Sequence, residues 1–293
     1  MARTFASPGA FRRSLEDRLR KAAAERRVSL DSIRLKLVME RLLARLFEKP
    51  HPAWLLKGGF AMELRYRPRA RTTRDLDLSI TGTDRETSAG HLARLHEELR
   101  SAASRDLGDY LAFSLGESSR DLQAPLGGLR FRCECRLAGK RYAVFRLDVG
   151  LGDPTLQEPD TLVGGDLLAF AGIEPAVVLA VPTTQQFAEK LHAYTFPWSD
   201  RTNTRTKDLA DLLLLLEEGL GDSPALREAL SATFGRRASH PLPENLPPPP
   251  ANWQPAFAQM AAELKLPQTD LESAHRRLAD FWRVLVAPGE VQG

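Results

Sequence analysis

The sequence predicts an α+β protein, with two helices first, a mixed sheet with crossing helices in the middle, and a helical half at the end. Three observations carry this. The first 50 residues hold two helical stretches, the second with a clear apolar stripe. Residues 54–181 contain six short runs that read as strands, several alternating apolar and polar side chains. From Thr183 onward, apolar residues return to a spacing of three and four, interrupted by a proline-rich stretch. Runs of strands followed by runs of helices belong to α+β layouts. The expected division is a domain over 1–182 and a helical one over 183–293, the latter contributing Lys190 and Asp208 to the site.

Each element follows from local chemistry. Ser7 is an N-cap followed by Pro8 at the first helical position, and a charged helix runs on to about Arg27. A second helix follows Ser29, with Leu35, Met39, Leu42, Leu43 and Leu46 on one stripe; Pro50 and Pro52 end it. Residues 54–56 form a short buried strand leading into Lys57-Gly58-Gly59. A short helix over 60–66 and a basic loop over 67–73 come next. In residues 75–80, Leu76, Leu78 and Ile80 face one way and Asp75, Asp77 and Ser79 the other. A helix over 86–105 carries Leu92, Leu95 and Leu99.

Residues 111–115 form a strand. Residues 129–137 alternate, with Leu129, Phe131, Cys133, Cys135 and Leu137 inward and Arg130, Arg132, Glu134 and Arg136 outward. A hairpin turn at Ala138-Gly139-Lys140 returns the chain through a strand over 142–149. The last strand is 177–181. Thr183 and Gln186 fit a capping box opening a helix through Tyr194. A loop rich in threonine and arginine leads to a helix over 207–219. Residues 241–255 hold seven prolines and read as an extended connector, and a helix over 270–285 closes the chain.

Composition narrows the function classes. With 293 residues, 43% of them hydrophobic, the chain can bury a real core. A net charge of +3 and pI near 9.0 hint at a polyanionic partner without establishing one. Cys133 and Cys135 sit two apart on one strand face, which is neither a CxxC redox pattern nor a zinc pattern, so they read as core residues. There is no 18-residue apolar run and no signal-peptide core in residues 1–13. The expected location is the cytoplasm, away from membranes.

The chemistry concentrates at Asp75-Leu76-Asp77. Two carboxylates at i and i+2 on a strand share a face, roughly 6–7 Å apart at their Cα atoms. As structure the pair is costly because like charges repel. Mg²⁺ removes the conflict and keeps positions open for phosphate. Taken alone, the pair also fits an exposed strand edge. Upstream, Gly58-Gly59 at a strand-to-helix junction lets backbone approach a phosphate, as a plain turn would also do. Asp148 lies on a strand expected to neighbour that of Asp75. It is either a third metal carboxylate or a cap for the turn that follows. Lys190 sits at an amphipathic helix border, the usual place of a solvated lysine. On spacing alone, Asp208 reads as a first-turn acid, with Asp211 on the same helix face.

Four blocks of residues together resemble the AbiEii/MenT-type nucleotidyltransferase toxins. They are Leu56-Lys57-Gly58-Gly59-Phe60-Ala61, residues Arg71 to Leu78, Glu189-Lys190-Leu191-His192-Ala193, and residues Arg205 to Leu212. The order and spacing match over roughly residues 54–216. The resemblance implies the polymerase-beta-like nucleotidyltransferase fold: a mixed sheet with an N-terminal helical segment and a C-terminal helical half. It implies that Lys57, Gly58, Gly59, Arg74 and Lys190 bind the nucleotide. Asp75, Asp77 and Asp148 would hold Mg²⁺, with two ions expected, and Asp208, with Asp211 behind it, would be catalytic. This chain has Gly58-Gly59 where many superfamily members have Gly-Ser.

The implied activity is transfer of NMP from an NTP to the 3′ end of tRNA, blocking aminoacylation and growth. A cognate antitoxin is the implied partner. Thr73, two residues before the first metal aspartate, matches a position phosphorylated in some relatives. A phosphate there would add about −2 charge beside two carboxylates. The arginines Arg65, Arg67, Arg69, Arg71 and Arg74, with Arg201 and Arg205, are expected to hold the tRNA acceptor stem by its phosphates, or else form a solvated basic loop. Two other readings stand beside this one: a nucleotidyltransferase acting on a protein or small-molecule hydroxyl, and a non-enzymatic nucleotide- or RNA-binding regulator.

Overall fold

The computed structural model describes residues 5–49, 54–80, 89–119, 127–151, 156–197 and 205–287. The chain forms two compact units. One comprises Met1–Leu64, Thr72–Gly152 and Asp160–Ala180; the other comprises Arg65–Arg71, Asp153–Pro159 and Val181–Gly293. The short segments 65–71 and 153–159 group with the helical unit.

In the first unit, α1 (Pro8–Arg26) starts where the Ser7 hydroxyl accepts from Ala10 N–H, and it stops at Arg27 in the left-handed region. Ser29 caps α2 (Leu30–Leu46) in the same way. A seven-stranded sheet follows, built from β1 (Trp54–Lys57), β2 (Asp75–Ile80), β3 (Leu111–Ser119), β4 (Gly128–Leu137), β5 (Lys140–Gly150), β6 (Asp160–Val163) and β7 (Val177–Ala180). Its order is β3-β4-β5-β2-β1-β7-β6. β2 runs parallel to β5 and β1 parallel to β7; the other neighbours are antiparallel. The turn between β4 and β5 has positive φ at both Ala138 and Gly139, as a two-residue hairpin loop needs.

Alternation places Leu76, Leu78, Phe131, Cys133, Cys135 and Leu147 in one core with Leu37, Met39, Leu42 and Leu99 of the helices. The last of these belongs to α4 (Ala89–Ala103). Inside this core Arg45 and Arg41 both bond Asp109, whose carboxyl burial alone would raise but which the two guanidiniums hold below its usual range.

The helical unit contains α5 (Thr183–Thr195), α6 (Thr206–Glu217), α7 (Pro224–Arg237), α8 (Gln254–Leu264) and α9 (Leu271–Val286). α6 buries an unbroken run, Leu212 to Leu216, so it is apolar on nearly every side. α9 follows the Asp270 cap, within a residue of the start expected from the sequence.

Several expectations are corrected. The helix after β1 is α3 (Gly58–Arg65), starting at the first glycine rather than at Phe60. Thr183 is the first helical residue and makes no capping box, because extended Pro182 already occupies the cap position. The proline-rich connector ends at Pro250, and Pro255 opens α8, since its missing N–H is no loss in a first turn. That connector is pinned: Tyr194 donates to the Pro247 carbonyl and Trp282 to that of Pro243. β6, α7 and α8 were not anticipated. Pro50, Pro52 and the expected helix start at residue 86 lie outside the described residues.

Candidate active site

In the sheet unit, β2 carries the two aspartates between β1 and β5. Asp77 lies opposite Lys57 of β1 and Asp148 of β5, and Asp75 lies opposite Arg146. Leu76 and Leu78 point into the core, which turns both carboxylates to the other face. The Asp77 side chain lies against Gly58: a Cβ at Gly58 would stand 2.1 Å from Asp77 Oδ2. Gly58 also has φ +68°, a left-handed conformation that suits glycine. The glycine therefore serves two needs at once, opening α3 and admitting the carboxylate. Lys57 reaches in the other direction, its Nζ lying 3.0 Å from where a Cβ at Gly150 would be.

Arginines accompany these carboxylates. Arg146 Nε donates to Asp75 Oδ1 at 3.2 Å, with both side chains partly exposed. Arg130 grips Asp148 through two bonds of 2.7 and 2.6 Å. The bond to Asp148, aided by the charges of Asp75 and Asp77, raises the Arg130 guanidinium above its usual value. Arg130 was legible only as an outward residue of an alternating strand, and nothing in the sequence singled out Arg146. Ser79, next on β2 after Asp77 on the same face, has a buried Oγ without a hydrogen-bond partner.

In the helical unit a second group forms. Lys190 Nζ donates to Asp211 Oδ2 at 2.6 Å and lies 3.6 Å from Asp208 Oδ1. Lys190 is 7% exposed, so the expected solvated lysine is corrected: its stem is packed in α5 and its ammonium neutralised by α6. Asp211 is 1% exposed and also takes two hydrogen bonds from Arg71. Burial alone would raise its carboxyl, but Lys190 and Arg71 hold it below the usual range. Asp208 sits in the first turn of α6, 3.5 Å from Arg205.

The basic loop is put to internal use. Arg65 donates to Gln186 Oε1 and the Val181 carbonyl, Arg69 binds Glu218, and Arg71 binds Asp211. Arg67 precedes Pro68 through a cis bond and has a buried Nε. Arg74 remains exposed, and Arg201 lies outside the described residues. Thr73, half-buried, is tied through its backbone N–H to Glu63 Oε2 at 3.4 Å.

The donors on β2 suit a hard divalent ion, since two carboxylates share one partly exposed face with Gly58 beneath. Asp148 stands opposite Asp77 on β5, with both its oxygens bonded by Arg130. Among the described residues, no group of three His, Cys, Asp or Glu side chains is gathered to hold a metal. None of the described helices is long and apolar enough to cross a membrane.

Comparison with known proteins follows the same lines. No curated protein matches the chain. Among solved structures it is similar to MenT4, a nucleotidyltransferase toxin from Mycobacterium tuberculosis H37Rv, at 16% identity and TM-score 0.51, covering 88% of this chain and 94% of that one. An antigenic nucleotidyltransferase-like protein from Paracoccidioides brasiliensis matches at 18% identity and TM-score 0.38, over 70% of this chain and 88% of that one. The fold is thus shared with MenT4 despite the low identity. The model of the AbiEii nucleotidyl transferase toxin, type IV toxin–antitoxin system, matches residues 41–285, and the chain belongs to this family of nucleotidyltransferase toxins.

Proposed function

We propose that this nucleotidyltransferase toxin moves a nucleoside monophosphate from an NTP to the 3′ hydroxyl of tRNA, with Mg²⁺ held by Asp75 and Asp77. The observation that carries this reading is the packing of Asp77 against Gly58, which sets a carboxylate pair beside the backbone that opens α3. Anionic oxygens are favoured at such a helix start, the positive end of the helix dipole. Held by Asp75 and Asp77, a divalent ion would lower the cost of negative charge on the leaving group.

The chain's own groups account for the remaining work. Lys57 and the Gly58-Gly59 backbone hold the triphosphate, and Lys190 offsets phosphate charge. The 3′ oxygen forms a bond to the α-phosphorus, and the bond to the bridging oxygen breaks, its electron pair leaving with pyrophosphate. Asp208 takes the hydroxyl proton. The roles of Lys190 and Asp208 are supported by the order of the sequence motifs. A tRNA extended in this way no longer accepts an amino acid, and a cognate antitoxin would restrain the enzyme.

The test is incubation with each α-phosphate-radiolabelled NTP and total tRNA, with and without Mg²⁺. Label should enter tRNA for one or a few NTPs, only with the metal, and not with Asp75→Asn or Asp77→Asn. Label on protein or small molecules instead would move the acceptor. No transfer at all, from protein that binds NTP and RNA, would leave a binding regulator.

A further inference from the structure

On the open face of the sheet, a cleft of about 920 Å³ in the sheet unit opens beside Asp75. Five arginines line it: Arg34, Arg74, Arg130, Arg132 and Arg146. Its acidic lining is Asp31, Asp75 and Glu117. Strand pairing explains how the arginines gather. Asp75 is opposite Arg146, and Arg146 is opposite Arg132, so one row crosses β2, β5 and β4 from carboxylate to cation to cation. In the next row, Asp77, Asp148 and Arg130 stand opposite one another in the same order.

The Arg132–Arg146 pairing is a cost. Like charges directly opposite on neighbouring strands destabilise a sheet. Their side chains are 61% and 59% exposed, and the carboxylates near them hold them loosely, Glu134 at 3.9 Å from Arg132 and Asp75 at 3.2 Å from Arg146. Anionic groups lying along the row would turn the repulsion into binding.

We propose that this cleft is the track for the phosphodiester backbone of the nucleic acid that receives the nucleotide. The proposal rests on the transferase reading above and replaces the 65–71 loop, whose Arg65, Arg69 and Arg71 are bound within the helical unit. Two observations favour nucleic acid over other anions. First, Arg146 and Arg132 continue the row from Asp75 away from β1, whose end leads into Gly58, where the triphosphate is placed. Second, the cations are arginines repeated along a row that starts at Asp75, which fits a chain of phosphates whose end lies at the carboxylates.

The experiment measures binding of total tRNA by the full chain across a salt series, without nucleotide, for wild type, Arg132→Gln, Arg132→Lys and Arg132→Gln/Arg146→Gln. NTP binding with Mg²⁺, binding of polyglutamate, and melting temperature are followed in parallel. Each arginine lost should weaken tRNA binding several-fold and lower the salt slope by about 0.7–0.9. Arg132→Lys should keep most of the slope, NTP affinity should stay unchanged, and the double variant should melt no lower than wild type. Wild-type tRNA affinity and slope in the double variant would overturn the proposal while leaving tRNA transfer standing. Loss of NTP binding would make the cleft a triphosphate subsite, and loss of polyglutamate binding alone a protein surface; either overturns it. A wild-type protein that neither binds nor extends tRNA would overturn both.

Discussion

Arg71 holds Asp211 by two hydrogen bonds, Nε to Oδ1 at 3.0 Å and Nη2 to Oδ2 at 2.8 Å. With Lys190 on the same carboxylate, Asp211 joins the 65–71 segment, α5 and α6 of the helical unit through one almost fully buried charge. Removing one member of a buried ionic group strands the others, at about 3–5 kcal/mol. Asp211→Ala should therefore lower the melting temperature sharply. Asp208→Asn should barely change it, because Asp208 stands beyond hydrogen-bond distance of Lys190 at 3.6 Å. Calorimetry on both variants, beside a transfer assay, tests whether Asp211 is structural and Asp208 acts as the proposed base. The pH dependence has a definite sign. Asp211 has a lowered folded-state pKa, so its contribution is complete above the usual 3.8 and lost only as pH falls below that value.

Gly58→Ala should abolish most activity at modest cost in stability. The new methyl would meet Asp77 Oδ2 at 2.1 Å, so the carboxylate must swing away, and the backbone must hold alanine at φ +68°. The conformational part alone costs on the order of 1–2 kcal/mol. Divalent-metal titration followed by calorimetry should show weakened binding. Unchanged metal affinity and turnover in Gly58→Ala would remove the link between the glycine and the aspartate.

The cysteines give a simpler expectation. Burial pushes the Cys135 thiol up to about 12 and Cys133 higher still, and both are free and enclosed. A thiol reagent at neutral pH should label neither until the protein is unfolded, because the thiolate is the reactive form. Fast labelling of the native protein would show that β4 opens locally.

These sites differ in how well the sequence foretold them, and the reasons are physical. Strand β2 was legible to the residue because its period of two sorts leucines from aspartates. The helix stripes, the cap at Ser7 and the helix starts after Ser29 and near Asp270 were legible for the same local reason. β6 was missed because Asp160–Val163 is a four-residue edge strand without clean alternation. α7 was missed although Ser223 caps it with proline following, because its apolar residues form no clear stripe. The arginines were the least legible, for a deeper reason. Charge in a sequence does not say what a side chain meets, and only register reveals that Arg71 faces a buried aspartate while Arg132 faces another arginine.

A chain of hydrogen bonds in the helical unit makes the last prediction. The Thr195 hydroxyl donates to the Leu191 carbonyl at 2.9 Å, so it accepts from His240 Nε2–H, also at 2.9 Å. His240 Nδ1 is then the acceptor for Ser239 Oγ–H at 3.1 Å, and Ser239 Oγ accepts from His192 Nε2–H at 2.9 Å. Both rings are neutral in this arrangement, with Arg237 beside His192 and Glu189 beside Arg237. A proton on His240 Nδ1 would leave Ser239 facing two donors. Burial already lowers the pKa of His240 below the usual 6.5. The unfolded chain therefore binds a proton that the folded one resists, and stability should fall as pH drops below about 6.5. Melting temperature should be level above pH 7 and decline toward pH 5, whereas His240→Phe should start lower at pH 7 and decline less. A wild-type profile that stays flat from pH 7 to 5 would mean that His240 keeps its usual affinity for protons and that the relay does not constrain it.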